Sequence, residues 1–211
     1  MTSETGRPKR ADKGRRTDTR DRLIRAGTEL MTEQGFGVTG TDVVLKKVGV
    51  PKGSFYYYFE SKHAFGEAVI DNYAAFFARK LERTFGDTSL PPLDRIRAFV
   101  DDAKSGMGKY DYRRGCLVGN LGQELSAMND AFRHQLENVL QSWQWRLARC
   151  LRDAVAQGQL APETDIESVA EFFWIGWEGA ILRAKLQRSG APLDRFVDVF
   201  FNQVLVAPKG A

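Results

Sequence analysis

Residues 50–62 read VPKGSFYYYFESK, and the three consecutive phenols between two phenylalanines are the first feature able to do chemistry. Phenolic hydroxyls donate hydrogen bonds to phosphate oxygens, contacts that fix register on a nucleic acid without reading its bases. Lys52 can donate to guanine O6 or N7, and Gly53 lets a backbone come close to a base edge. Phe55 and Phe59 stand four apart and face a core. Tyr56, Tyr57 and Tyr58 then project over the remaining arc, where one or two reach DNA and the others pack against neighbouring helices. A second candidate is RRGCLVGNLGQE at 113–124. Cys116 follows a glycine in a break between helices, and Arg113 and Arg114 would favour its thiolate or clamp an anionic ligand. The alternative is a buried, inert thiol, the usual state of a free cysteine. Cys150 lies beside Leu147 and Leu151 on an amphipathic stretch and reads as core. His63 and His134 lie far apart and match no metal-ligand spacing. A thiol enzyme, with Cys116 as nucleophile and either histidine as base, is the competing class. No oxyanion motif accompanies it, and it leaves the basic N-terminal third without a purpose, so no enzyme and no cofactor is expected.

The basic character is local. Residues 1–62 hold 13 Lys+Arg against 8 Asp+Glu, whereas the remainder holds 18 against 19. A polyanion partner therefore belongs to the N-terminal third, unless the excess is only a solvated tail. The 211 residues are 43% hydrophobic, enough for a sizeable core. No apolar run approaches a membrane span and no signal-peptide pattern follows the basic start, so a cytoplasmic chain without a membrane partner is expected. Two cysteines do not make a disulfide scaffold.

The elements that must position these residues are all helical. Residues 1–16 lack apolar content and are expected to be a disordered basic arm; within it GRPKR at 6–10 suits either a minor-groove hook or a nonspecific electrostatic arm. Thr17 or Asp18 caps a first helix with Leu23, Ile24, Gly27, Leu30 and Met31 at helical spacing, ended by Gly35. A second helix spans about 41–48. After the turn GVP, a third covers about 52–59. Ser61 caps a long fourth with an apolar stripe of Phe65, Val69, Tyr73, Phe76, Phe77 and Leu81. Helices are also expected around 93–107, over 130–157, over 165–187 and over 192–205, with an uncertain short one inside 113–124. No alternating strand pattern occurs.

Two short helices joined by a glycine-containing turn are the helix-turn-helix signature, whose second helix enters the major groove. The stretch TEQGFGVTGTDVVLKKVGVPKGSFYYYFESKHAFGEAVI resembles the DNA-binding domain of TetR-family transcriptional regulators. The resemblance implies base or near-base contacts from Lys52, Gly53 and Ser54, and phosphate contacts from Thr41, Tyr57 and Lys62. Two positions depart from the family pattern. Position 58, usually His, is Tyr, and position 40, often Ser or Thr, is Gly, so one familiar phosphate donor is missing.

The resemblance further implies a homodimer with a C-terminal ligand-binding and dimerisation domain, giving an arm at 1–16, a helix-turn-helix domain at 17–62 and a sensor domain at 63–211. EFFWIGWEGAILRAKL supports this independently: its aromatic and small residues suit a helix pair that meets its symmetry mate, or else an intrachain core. RRGCLVGNLGQE and FWIGWEGAILRAKL resemble a subgroup that includes regulators of N-ethylmaleimide reductase and of acrylate metabolism, which implies an electrophilic or α,β-unsaturated small-molecule inducer, an acid among them. Trp174, Trp177 and Glu178 join Cys116, Arg113 and Arg114 as candidate pocket residues, with a dimer role competing for them. The expected function is a repressor on a palindromic DNA operator, released when such an inducer binds covalently or non-covalently near Cys116.

Overall fold

The computed structural model describes residues 9–207, with side chains from Arg16 onward, and every regular element among them is helical. Contacts divide the chain after Asn72 into two compact units. The first holds α1 (Lys9–Gln34), α2 (Thr41–Val48), α3 (Phe55–Tyr58) and the beginning of α4 (Lys62–Phe85). The second holds the remainder of α4, α5 (Pro92–Gly108), α6 (Leu117–Leu125), α7 (Asp130–Ala156), α8 (Ile166–Gln187) and α9 (Ala191–Val199), which runs into a π-helical turn at Phe200–Val204.

In the N-terminal unit, α1 begins at Lys9, ahead of the cap expected at Thr17 or Asp18. Residues 9–16 of the expected arm are thus helical, while residues 1–8, with the first part of GRPKR, lie outside the described residues. The buried face of α1 carries Leu23, Ile24, Ala26 and Met31. Gly27 shares that face because a Cβ there would overlap the Phe65 ring and come within 2.9 Å of Val69. Gly49 ends α2 in the left-handed region (φ 72°), its N–H returning to the carbonyls of Leu45 and Lys46, the αL cap that glycine adopts without steric cost. Ser61 caps α4 by accepting the Ala64 N–H at 3.0 Å.

The third helix is shorter than the spacing predicts. Gly53 has φ 95°, a conformation that cannot continue a right-handed helix. Residues 51–54 therefore form a turn closed by the Ser54 N–H on the Pro51 carbonyl, and only residues 55–58 are helical. Phe55 and Phe59 face inward as expected. They form a triangle with Phe65, with ring centroids 5.5, 5.4 and 4.8 Å apart.

An aromatic cluster is the centre of the C-terminal unit. Trp143 of α7 packs on Phe77 of α4 (4.4 Å) and on Trp174 of α8 (5.2 Å); Phe99 of α5 contacts Trp174 and Trp177; Phe173 stacks on Trp177 at 5.8 Å. The one correction to the predicted stripe on α4 is Phe76, which is 56% exposed. At about 100° per residue it stands 60–100° off the line of Tyr73 and Phe77. Arg95 is buried and donates to the carbonyls of Leu90 and Phe85 and to Asp153. At Phe85 it satisfies a carbonyl that the end of α4 leaves without a helical partner, and at Leu90 one in the loop to α5. Asn129 and Asp165 cap α7 and α8 through the N–H groups of Phe132 and Ser168.

Gly27→Val should destabilise the chain by about 1–3 kcal/mol through overpacking against the immobile Phe65 ring, read as a shift of the urea midpoint without a change in slope. An unchanged midpoint would show that α1 and α4 separate freely at this crossing.

Candidate nucleic-acid interface and buried thiol site

The turn between α2 and α3 presents its side chains outward. Lys52 is 81% exposed and forms an ion pair with Asp42 of α2 at 2.9 Å, which raises its pKa chiefly through the hydrogen bond to that carboxylate. Because Gly53 breaks the helix, Lys52 and Gly53 stand in the turn before α3 and not at its first positions. Ser54 turns its hydroxyl back to the Pro51 carbonyl at 2.7 Å. Tyr56 and Tyr57 are exposed, and Tyr58 is half-buried against the edge of Tyr57 at 5.0 Å. Arg16 lies over the Tyr57 ring at 4.6 Å and donates to the Tyr57 carbonyl, a contact that ties α1 to α3 and that the sequence did not reveal. Thr41 opens α2 and is half-buried. Lys62 spends its ammonium on the Gly37 carbonyl (3.1 Å) and the Phe36 ring (4.6 Å), so it first braces the α1–α2 connection. Gly40 is an N-cap in extended conformation with room for a side chain, the nearest neighbour of an added Cβ being Val43 at 3.8 Å.

In the C-terminal unit Cys116 is the N-cap of α6. Its sulfur accepts the Gly119 N–H at 3.5 Å. The thiol is buried beside the carboxyl of Glu178 on α8, which acts on its titration; a Cβ on Gly119 would meet both side chains. Two glycines make this approach possible: a Cβ on Gly119 would overlap Glu178 Oε2, and one on Gly115 would come within 2.8 Å of Lys185 and 2.9 Å of Ile181. Positions 178, 181 and 185 lie on one face of α8. Tyr73 completes the group: burial, and then the Cys116 and Glu178 charges, hold its phenol proton tightly. Lys185 Nζ donates to Asn120 Oδ1 at 3.1 Å.

The electrostatics overturn one expectation. Burial, and then the Glu178 carboxylate, push the Cys116 thiol well up, so it is a protonated thiol and not a thiolate favoured by arginines. The arginines point elsewhere: Arg113 is exposed beside Asp111, Tyr112 and Arg188, and Arg114 stacks on Tyr110 at 4.1 Å. Burial also raises the Glu178 carboxyl to about 7, and its Oε1 is inaccessible and has no hydrogen-bond partner. The indole N–H groups of Trp143 and Trp174 are likewise buried without partners. Trp174 and Trp177 belong to the intrachain aromatic core. Neither histidine is the thiol's hydrogen-bond partner: His63 lies against Phe36, and His134 hydrogen-bonds Arg133. Cys150 is core, its thiol on the Pro92 carbonyl and pushed up to about 12 by burial. Among the described residues no cluster of three or more His, Cys, Asp or Glu could hold a metal, and no helix is long and apolar enough to cross a membrane.

A carboxyl whose folded pKa is raised binds more protons folded than unfolded, so its contribution makes stability fall as pH rises between the two values. For Glu178 that interval runs from 4.5 to about 7. The stability of the wild type relative to Glu178→Gln should therefore drop by about 3 kcal/mol across it and stay level above. Denaturant melts of both proteins at pH 5 and 8 measure this, and parallel pH curves would rule it out. At the other site, Lys52→Ala should cost about 1–3 kcal/mol on a specific DNA duplex and less on a scrambled one, whereas Tyr57→Phe should weaken both equally. Fluorescence anisotropy on the two duplexes tests this, and equal losses for Lys52→Ala would remove it from base readout.

Comparison with known proteins agrees with this architecture. Residues 23–69 match the description "Bacterial regulatory proteins, tetR family", and residues 92–200 match "Tetracyclin repressor-like, C-terminal domain". The transcriptional regulator AcuR of Cereibacter sphaeroides is 52% identical over 84% of this chain and 81% of its own. A crystal structure of regulatory protein TetR from Rhodobacter sphaeroides superposes with a TM-score of 0.85 at 50% identity, over 89% of this chain and 99% of that one. The repressor NemR of Escherichia coli is 29% identical over 84% of this chain and 89% of its own, and its reduced form superposes with a TM-score of 0.82 over 91% and 99%. With an exposed helix-turn-helix surface in one unit and a helical C-terminal unit around a buried thiol, the chain belongs to the TetR family of bacterial transcriptional regulators.

Proposed function

We propose that this regulator is a cytoplasmic homodimeric repressor, released from a palindromic operator when a small electrophile, an α,β-unsaturated carbonyl compound, binds beside Cys116. The observation that carries the ligand reading is the Cys116–Glu178 pair. It is a nucleophilic atom and a proton-accepting group that a Cβ on Gly119 would touch together; the neighbouring Tyr73 ring lies 6.4 Å from that of Trp143, and the indole N–H groups of Trp143 and Trp174 lack partners. Such donors suit a ligand carbonyl oxygen. Since the arginines turn away from the thiol, a neutral electrophile suits the site better than the free acid that the sequence allowed. Resemblance to the subgroup of regulators for such compounds supports the same reading.

On the DNA side, Tyr56, Tyr57 and Lys52 are exposed at the α2–α3 turn, and α3 is too short to specify an operator alone. Two copies related by a two-fold axis would place a pair of such turns about 34–36 Å apart, one turn of DNA. The surface for that pairing is on α8. Phe172, Ile175, Leu182 and Leu186 are 46%, 67%, 40% and 71% exposed and recur every three, four or seven residues along one face, with Gly179 among them. A contiguous apolar stripe of this length marks an association site, and a second copy of the same stripe matches it isologously. Trp174 and Trp177, which the sequence offered to either role, are spent inside the chain. Inducer acts by preferring the conformation whose recognition turns no longer match the grooves, since equal affinity for both would shift nothing.

Ile175→Asp combined with Leu186→Glu should yield a monomer by analytical ultracentrifugation at micromolar concentration and lower operator affinity by at least about 100-fold, because half the DNA contacts are lost. A dimer with wild-type affinity would place the interface elsewhere. Cys116→Ser should keep operator binding and blunt release by inducer in a mobility-shift assay; an unchanged inducer midpoint would make the thiol structural.

A further inference from the structure

We propose that Glu178 is the proton carrier of Cys116, so that the pair adds the thiol across the double bond of an α,β-unsaturated carbonyl compound and can release it again; this rests on the reading of Cys116 as the inducer site. The geometry supports it from several sides. The carboxyl adjoins the thiol: a Cβ added to Gly119 would overlap Glu178 Oε2 and stand 3.8 Å from the Cys116 Cβ. Oε1 is buried without a partner. An unpartnered buried oxygen costs stability unless a ligand or a proton completes it. The other groups facing the thiol are less suited. Tyr73 of α4 has its proton held more tightly by burial. Lys185, on the same face of α8, is committed to Asn120. The Gly119 and Val118 N–H groups at the start of α6 stabilise negative charge on sulfur as it develops but can accept no proton.

The step balances within the pair and the ligand. Sγ attacks the β-carbon, the C–S bond forms, and the π electrons move toward the carbonyl. The S–H proton passes to the Glu178 carboxylate as the bond forms, which lets a thiol that is not ionised act as nucleophile. The protonated carboxyl then delivers that proton to the α-carbon. One S–H bond and one π bond are exchanged for one C–S and one C–H bond, without oxidant or reductant. In reverse, the carboxylate removes the α-proton, the C–S bond breaks, and the proton returns to sulfur. Glu178 must be ionised to start addition, so the reaction tracks its titration near neutrality and not that of the thiol.

The test uses full-length protein and methyl vinyl ketone, with adduct formation followed by intact-protein mass spectrometry from pH 5.5 to 9 and DNA release read in parallel. The wild-type rate should rise through about pH 7 and then level. Glu178→Gln should react about 100-fold more slowly, the lower end of general-base effects, and gain rate only at alkaline pH; Glu178→Asp should recover part of the limb near pH 7. Cys116→Ser should form no adduct. Equal rates and profiles for wild type and Glu178→Gln would overturn the proton role and leave the Cys116 site standing. A wild-type rate that climbs steadily without an inflection near pH 7 would overturn it even if the variants fail to fold. DNA release by the ketone without any adduct would also overturn it while keeping a non-covalent inducer site. Neither adduct nor release would remove both readings.

Discussion

The C-terminal unit depends on how closely α8 can lie against the start of α6. Gly115 and Gly119 are what permit it: with side chains at these positions, Ile181, Lys185 and Glu178 would be pushed away. The chemistry of the site follows from that spacing. Cys116, held between the two glycines, is buried because α8 covers it. Its sulfur meets Glu178 because the carboxylate can reach across a residue that has no Cβ. The same approach draws Tyr73 into the cluster and leaves Lys185 to bond Asn120. A residue pattern that looks like a loop with helix-breaking glycines is thus a packing device, and α6 forms as a regular helix directly after it.

The pair is tolerated because the rest of the unit is conventional. Rings from α4, α5, α7 and α8 interlock around Trp143 and Trp174, and aromatic pairs of this kind add to the burial that drives folding. Arg95 completes the end of α4, and side-chain caps start α7 and α8. Against this background a carboxyl oxygen and two indole N–H groups left without partners stand out. Local violations of this kind are held in place by a consistent surrounding fold, and they concentrate where a protein acts.

Much of this was legible in the sequence. Helical periodicity placed α2, α4, α5, α7 and α8 close to their observed bounds, and the order of motifs between Gly35 and Val69 identified the helix-turn-helix. What the sequence hid was conformation at single residues and contact over long separations. That α3 is one turn long follows from the positive φ of Gly53, which spacing alone does not disclose. Phe76 entered the α4 stripe because apolar type was taken for direction. Arg113 and Arg114 neighbour Cys116 along the chain, yet the charge that acts on it comes from Glu178, 62 residues later, and only the fold brings it there. Glu178 itself was named as a pocket wall; its role as the thiol's partner was out of reach without the two glycines. Gly27 was the opposite case, correctly placed among apolar residues because an absent side chain can be as much a part of a core as a present one.

The ion pair between Lys52 and Asp42 has a consequence of its own for the thermodynamics of DNA association. In the free protein Lys52 already has a fixed anion beside it, 2.9 Å away and well exposed. A lysine that turned from Asp42 to nucleic acid would release a condensed cation from the duplex and give up the Asp42 carboxylate. An exposed pair of this kind is worth only about 0–1 kcal/mol, so giving it up would take a small, salt-screened part from whatever Lys52 gains at a phosphate or a base.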